Sequence, residues 1–254
     1  MVKRALLLTV AGTLASVALE LEVGGGPQRE EFRGWVSYKG EAVDVKRDLA
    51  LQDKTKYFVY LELRHSAKLG FIPLPDLRVE YLRMNTYGRG VVSRTFTFGD
   101  ITVNANEPIS TELRFHQLDL TFHYSPLKTE FLRGSWGFGT KVVDFKVKVR
   151  RENTGEEESE SAVVPLPYLY AKAAGEVRFV HAFGEIKGLG VDGKNYFYDW
   201  RVGAGLHYDV KENLRISLDG GYRYQRYRID DVSDVSADVR AKGAFGALSL
   251  RLSF

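Results

Sequence analysis

The feature that most constrains this chain is a two-residue period that runs longer than an ordinary soluble strand. In NLRISLDGGYRYQRYRI, residues 213–229, Leu214, Ile216, Leu218, Gly220, Tyr222 and Tyr224 share one face. Arg215, Ser217, Asp219, Gly221, Arg223 and Gln225 share the other. Successive strand side chains point to opposite faces, so one side of this strand is apolar and the other carries full charges. The preceding segment repeats the pattern, with Tyr198, Trp200, Val202, Ala204, Leu206 and Tyr208 opposing Asp199, Arg201, Gly203, Gly205, His207 and Asp209. QLDLTFHY sets Leu118, Leu120, Phe122 and Tyr124 against Gln117, Asp119, Thr121 and His123. YFVYLELR sets Tyr57, Val59, Leu61 and Leu63 against Phe58, Tyr60, Glu62 and Arg64.

Ten such strands can be drawn, over approximately 19–39, 56–65, 76–87, 110–125, 130–150, 163–176, 180–190, 196–210, 213–229 and 238–254; eight or twelve are the alternatives. One strand changes phase. Leu132 to Val142 carry their apolar side chains on even numbers, and Val143, Phe145, Val147 and Val149 carry them on odd numbers, which predicts a β-bulge near Val142–Val143. The connectors SPLKTE and KEN are short turns, whereas the stretches around 40–55, 88–109 and 151–161 are long. TFTFGDITVNA predicts a small hairpin turning at Gly99–Asp100 inside the second of these. The acidic 151–161 stretch and the cluster Asp230, Asp231, Asp234 and Asp238 read as polar loops without cation-ligand spacing.

Two architectures accept alternating strands of this kind. A soluble sandwich or lipocalin turns the apolar face inward; a membrane barrel turns it outward to lipid. Three features favour the barrel. The strands reach the 9–11 or more residues that cross a bilayer. Tyrosines gather toward strand ends on the apolar face (Tyr57, Tyr124, Tyr198, Tyr208, Tyr222, Tyr224). Small residues occupy that face at mid-strand (Ala204, Gly220, Ala244, Gly246). A sheet in lipid cannot leave an edge unpaired, so it closes. With an even strand number, both termini fall on the periplasmic side and the long loops outside.

The N-terminal segment MVKRALLLTVAGTLASVALE has a basic start, an apolar run and the small pair Ser16 and Ala18, which predicts a signal peptide over 1–18 and one barrel domain over 19–254. The chain has no Cys and a net charge of +3, which excludes disulfides and gives no basis for nucleic-acid binding.

The segments DLALQDKTKYFVYLELRHS, SRTFTFGDITVNA and GAFGALSLRLSF resemble an uncharacterised family of bacterial outer-membrane β-barrel proteins. Phe254, with Leu248, Leu250 and Leu252 facing lipid, resembles the C-terminal signal read by the barrel-assembly machinery. The resemblance implies a location in the outer membrane, surrounded by its lipids and lipopolysaccharide, and a single barrel; it implies no cofactor, substrate or catalytic residue. A monomer is expected.

The predicted inward face is densely charged. Glu62, Arg64, Arg78, Glu80, Asp119, Arg133, Lys141, Lys172, Glu185, Asp199, Arg201, Asp209, Arg215, Asp219 and Arg223 form its main set, with His123, Glu176, Lys187, His207 and Arg251 beside them. Unpaired charges in a narrow lumen are costly, so a cross-strand ion-pair network is expected. An eight-stranded barrel is just filled by its own side chains and ten strands are only slightly wider, which favours a structural or low-conductance lumen. Binding by the external loops is the rival class. His123 and His207 each precede a short turn and have no visible nucleophile beside them, so no enzyme is expected.

Overall fold

The alternation forms ten long strands in the computed structural model, which describes residues 18–39, 41–190, 193–232 and 235–254. The predicted signal peptide falls almost wholly outside these residues. The barrel strands are β1 (Leu19–Tyr38), β2 (Lys54–His65), β3 (Asp76–Val91), β4 (Pro108–Lys128), β5 (Leu132–Arg151), β6 (Glu157–Val177), β7 (Val180–Gly190), β8 (Tyr196–Lys211), β9 (Leu214–Val232) and β10 (Val235–Ser253). Each pairs antiparallel with the next, and β10 pairs back on β1, from Glu20 opposite Ser253 to Tyr38 opposite Val235. The result is a closed up-and-down barrel of ten strands. Closure leaves no edge along the ring, as hydrocarbon surroundings demand.

The strand ends are informative. The start of β1 and the end of β10 lie at one rim, here called lower, where the Phe254 amide donates to the Leu19 carbonyl. At the opposite, upper rim the strands run past their expected ends: β2 begins at Lys54, β3 reaches Val91 and β6 begins at Glu157. The expected acidic loop at 151–161 is therefore mostly strand, with Arg150 opposite Glu157 and only 152–156 turning. Its charges are drawn into ladder positions by pairing, which the loop reading ignored.

The predicted bulge at Val142–Val143 is absent. Those residues keep unbroken register with Leu118 and Gln117 of β4 and with Pro165 and Val164 of β6. The one irregularity along the β4–β5 ladder falls lower, between Gly134 and Trp136. Side-chain direction never changes on β5; its surroundings do. Lys141 faces the lumen, and so do Val143, Val147 and Val149 above it. The same reversal appears on β3, where Arg78 and Glu80 give way upward to Leu82 and Met84, and on β1, where Glu22 and Glu30 give way to Phe32 and Val36. On the outside the order inverts: Leu77, Val79 and Tyr81 are followed by Arg83 and Arg89.

The barrel thus has two storeys. The lower one is apolar outside and charged inside. The upper one has an apolar interior beneath a polar exterior, like a soluble protein. The connection 39–53, within the long charged stretch expected around 40–55, dips into this interior: Val43, Val45, Leu49 and Leu51 are buried there. Burial of four apolar side chains overrides the charge of Lys46, Arg47 and Asp48 around them, each worth about 1.5–3 kcal/mol. The connection 92–107 folds over the same mouth through a hairpin, Phe96–Phe98 with Ile101–Val103, which turns at Gly99–Asp100 as its sequence indicates. Gly99 has φ +59, a left-handed value that favours glycine. Phe96, Phe98 and Val103 point down into the core, and the Phe98 ring meets Tyr38 at 5.7 Å. At the lower rim, residues 66–75 form a small hairpin (Lys68–Leu69 with Ile72–Pro73) that leaves Leu69, Phe71 and Leu74 exposed.

Aromatic side chains bound the apolar exterior. Tyr196, Tyr198, Trp200, Tyr222 and Tyr224 stack along β8 and β9 at centroid spacings of 5.7–6.1 Å. Nearer the lower rim, Tyr124 packs on Trp136 at 5.8 Å.

Candidate functional site in the lumen

Every strand supplies inward polar side chains in the lower storey, because the ladder fixes which parity faces the bore. The central tier is the most tightly joined. The Arg223 guanidinium donates in a fork to both Asp199 oxygens, at 2.9 and 2.6 Å, and a third nitrogen reaches Glu80 Oε1 at 2.9 Å. Lys141 Nζ sits 2.7 Å from Asp119 Oδ1 and 3.2 Å from Asp199 Oδ2. Lys187 Nζ donates to Asp119 Oδ2 at 2.7 Å. Arg201 donates to Glu80 Oε1 at 2.6 Å, and its Nε lies 3.6 Å from Glu185.

These bonds are chords across the bore. Glu80 is on β3 and Arg201 on β8, strands five apart in a ring of ten and so on opposite walls. A direct 2.6 Å hydrogen bond between opposite walls spans the bore at that height. The groups are fully buried, Arg223 and Lys187 at 1% exposure and Lys141 at 0%. Buried charges persist only when paired and hydrogen-bonded, and forked guanidinium–carboxylate contacts meet that need best. Gln117 and Gln225 complete the tier: the Gln225 amide donates to Gln117 Oε1 at 2.9 Å and to Asp199 Oδ2 at 3.0 Å. Arg201 also rests against the paired rings of Phe58 and Phe245, at 5.3 and 5.4 Å.

A second tier lies below. Arg78 joins Glu62 at 2.9 Å and Glu80 at 3.1 Å, and rests 4.1 Å from the Tyr60 ring. Arg64 donates to Glu62 at 2.7 Å and also pairs with Glu20. Arg251 reaches Glu22 at 2.8 Å, and Tyr60 Oη donates to Glu22 at 2.8 Å. At the lower rim Arg215 bridges Asp209 (2.6 Å) and Glu176 (2.8 Å), and His181 Nε2 contacts Asp219 at 2.5 Å. His207 lies 3.3 Å from Glu176 and its ring is 5.7 Å from that of His181. His123 faces Glu62 at 3.4 Å.

Of the expected set, Glu62, Arg64, Arg78, Glu80, Asp119, Lys141, Glu185, Asp199, Arg201 and Arg223 come together in these two tiers. Asp209, Arg215 and Asp219 belong to the rim. Arg133 and Lys172 stand apart from the ion pairs; both line the vestibule that opens at the lower rim, and Lys172 Nζ lies 5.6 Å from the Phe183 ring. That vestibule holds about 420 Å³. Leu248, Leu250 and Leu252 face outward, and Phe254 is exposed beneath them.

Glu20, Glu22, Gln28, Gln117 and Gln225 are lumen residues that the expected set lacks. The signal for the first two was present in the alternation of Leu19, Leu21 and Val23 with Glu20 and Glu22, but Gly24–Gly26 interrupt it. Parity places Gln117 and Gln225 on the polar face, but a set restricted to charged side chains omits them.

Outside the bore, the acidic candidates are engaged with neighbouring cations. Asp238 accepts a fork from Arg226 at 2.9 and 2.6 Å, and Asp230 lies 3.6 Å from Lys194. Asp234 and the side chain of Asp231 lie outside the described residues. At the upper rim Arg151 joins Glu107, whose carboxyl it holds below the usual range by hydrogen bonding.

No family model matches this chain. No curated protein matches it either. Among solved structures, it is similar to the outer membrane protease OmpT from Escherichia coli at 11% identity, covering 93% of this chain and 97% of that one, with a TM-score of 0.48. The transport unit of the autotransporter AIDA-I from Escherichia coli aligns at 10% identity over 93% of this chain and 90% of that one, with a TM-score of 0.42. Neisserial surface protein A aligns at 11% identity over 93% and 99%, with a TM-score of 0.34.

Proposed function

We propose that this chain is an integral outer-membrane barrel with a sealed bore, a structural element of the cell envelope and not a solute channel. The observation that carries this reading is the Arg201–Glu80 bond between opposite walls, with the apolar core stacked above it. Water and ions would have to break a buried, paired charge tier and then cross a layer of Phe, Val and Leu side chains. Both steps are expensive.

The exterior supports the membrane part of the reading. Leu206, Leu218 and Leu248 are all at least half exposed on the adjoining β8, β9 and β10, an arrangement water penalises and lipid accepts. In this reading the termini and the vestibule face the periplasm, and the capped mouth faces outside. Membrane lipids surround a monomer that the assembly machinery inserts. The rim histidines hold structural carboxylates and carry no hydrolytic role. A second reading, recognition by the outer cap, draws on its rigidity: Arg94 ties 92–107 to Asp48 at 3.0 Å, and Arg151 ties Glu107 to the β5–β6 turn.

Planar-bilayer recording of the refolded protein tests the sealed bore. A silent bilayer after verified insertion is expected; reproducible single-channel steps overturn it. A chain that stays a soluble monomer without detergent overturns the membrane placement itself.

A further inference from the structure

We infer that the outer wall of β9, β10 and β1 carries a binding patch for lipid phosphate headgroups of net negative charge, set directly above the apolar belt. The inference rests on the membrane placement proposed above. Its basis is the register. Arg226 lies opposite Arg240 on β10, and Arg240 lies opposite Arg33 on β1, so three guanidinium side chains stand in one cross-strand row on one outward face. Like charges directly opposite one another destabilise a sheet. In the next row toward the belt, Lys242 stands between Tyr224 and Glu31. Tyr224 belongs to the stacked aromatic series, which fixes the height of this cluster at the upper edge of the apolar band.

Intramolecular carboxylates only partly answer the charge. Asp238 is committed to Arg226, leaving Arg240 a 3.8 Å approach. Arg33 lies 3.9 Å from Glu31 and 3.6 Å from Asp53, while Asp53 is already bonded to Lys46 at 2.5 Å. The Arg33 and Arg240 side chains remain about half exposed, at 48% and 49%. The row therefore presents half-exposed guanidinium groups at a height where, in the proposed placement, the surroundings are a leaflet of headgroups. Guanidinium groups bind phosphate through two parallel hydrogen bonds, and a neighbouring ammonium adds a point charge. A headgroup phosphate whose acyl chains lie on Leu248, Ala244 and Leu218 below satisfies both the row of cations and the belt.

The test compares nanodiscs of phosphatidylcholine alone with nanodiscs containing phosphatidic acid of the same acyl chains. The wild-type chain should unfold several degrees higher with phosphatidic acid and retain it through gel filtration. The variant Arg33→Gln/Arg240→Gln/Lys242→Gln should lose that shift while unfolding no lower than wild type in phosphatidylcholine. An unchanged unfolding temperature in wild type, or a full shift retained by the variant, overturns the inference. Equal stabilisation by dissolved inorganic phosphate makes the patch a free-anion site and overturns it too. Failure to enter either disc sinks the membrane placement; insertion without a headgroup effect sinks this inference alone.

Discussion

The two storeys of the barrel are built from the same strands by opposite rules. On β5, Lys141 and Val143 are neighbours on the same inward face, yet the first belongs to an ion-pair tier and the second to an apolar core. On β3, Arg78 and Glu80 lie below Leu82 and Met84 on one face in the same way. What changes between them is the medium outside the wall. Below the switch the exterior is apolar, and polar groups have only the bore in which to pair. Above it, charged exteriors such as Arg83, Arg114 and Lys146 are free to meet water, so the interior reverts to the packing of a soluble protein. Strand direction and register run through the switch unchanged.

Substitutions that respect one storey's rule and violate the other's should separate them. The largest effect is expected for Arg223→Ala, which removes the fork on Asp199 and one of the guanidinium partners of Glu80; loss of one member of a buried pair costs about 3–5 kcal/mol. Urea unfolding in detergent, followed by heat-modifiable gel mobility, measures it. Next comes Leu218→Arg in the middle of the belt, at roughly 2–4 kcal/mol, the cost of a cation on a lipid face. The mirror change above the switch, Arg114→Leu, should fall within about 0.5 kcal/mol of wild type in the same assay, as exposed substitutions do. Equal costs for these two would erase the distinction between storeys.

In the cap, Leu49→Ala should cost about 2–3 kcal/mol, the low end for a fully buried leucine, because a loop collapses around a cavity more easily than a strand. Limited proteolysis should then cut within 39–53 or 92–107 while the ten strands survive. The smallest effect is acid loosening of the cap. The Asp44 carboxyl is partly buried, which opposes ionisation, but backbone N–H groups of Arg47 and Lys46 hold its pKa below the usual value. Glu107 is lowered by its hydrogen bonds to Arg151. Groups lowered in the folded state stabilise it above their unfolded pKa, and that contribution disappears as pH falls through the folded one. Cap protease sensitivity should therefore rise only below about pH 4, where free carboxylates titrate. A rise near pH 6 would implicate histidine instead.

How much of this was legible in the sequence differs between storeys. In the lower one the two-residue period holds, so parity alone assigned Glu80, Asp119, Asp199 and Arg223 to one common face. Parity says nothing about which wall a partner stands on, so the chord from Arg201 to Glu80, 121 residues away, could not be read. The upper storey was misread at one point with wide effect. The apolar residues from Val143 onward read as a switch of face and so predict a bulge, whereas the face is constant and the surroundings of the wall change. The cap was hidden for another reason. Val43, Val45, Leu49 and Leu51 sit among Lys46, Arg47, Asp48 and Asp53, and their burial depends on the mouth beneath them.

The strands that hold the central charge tier have a consequence for the order of assembly. Glu80, Asp119, Lys141, Lys187, Asp199, Arg201 and Arg223 lie on β3, β4, β5, β7, β8 and β9; none lies on β1 or β10, the strands that form the seam. A sheet that has curled but not yet zipped can make every one of these ion pairs. The charges of this tier can be neutralised before the last hydrogen-bond ladder forms, so the seam closes around a central tier that is already electrically settled and leaves only pairs such as Arg251–Glu22 to form across it.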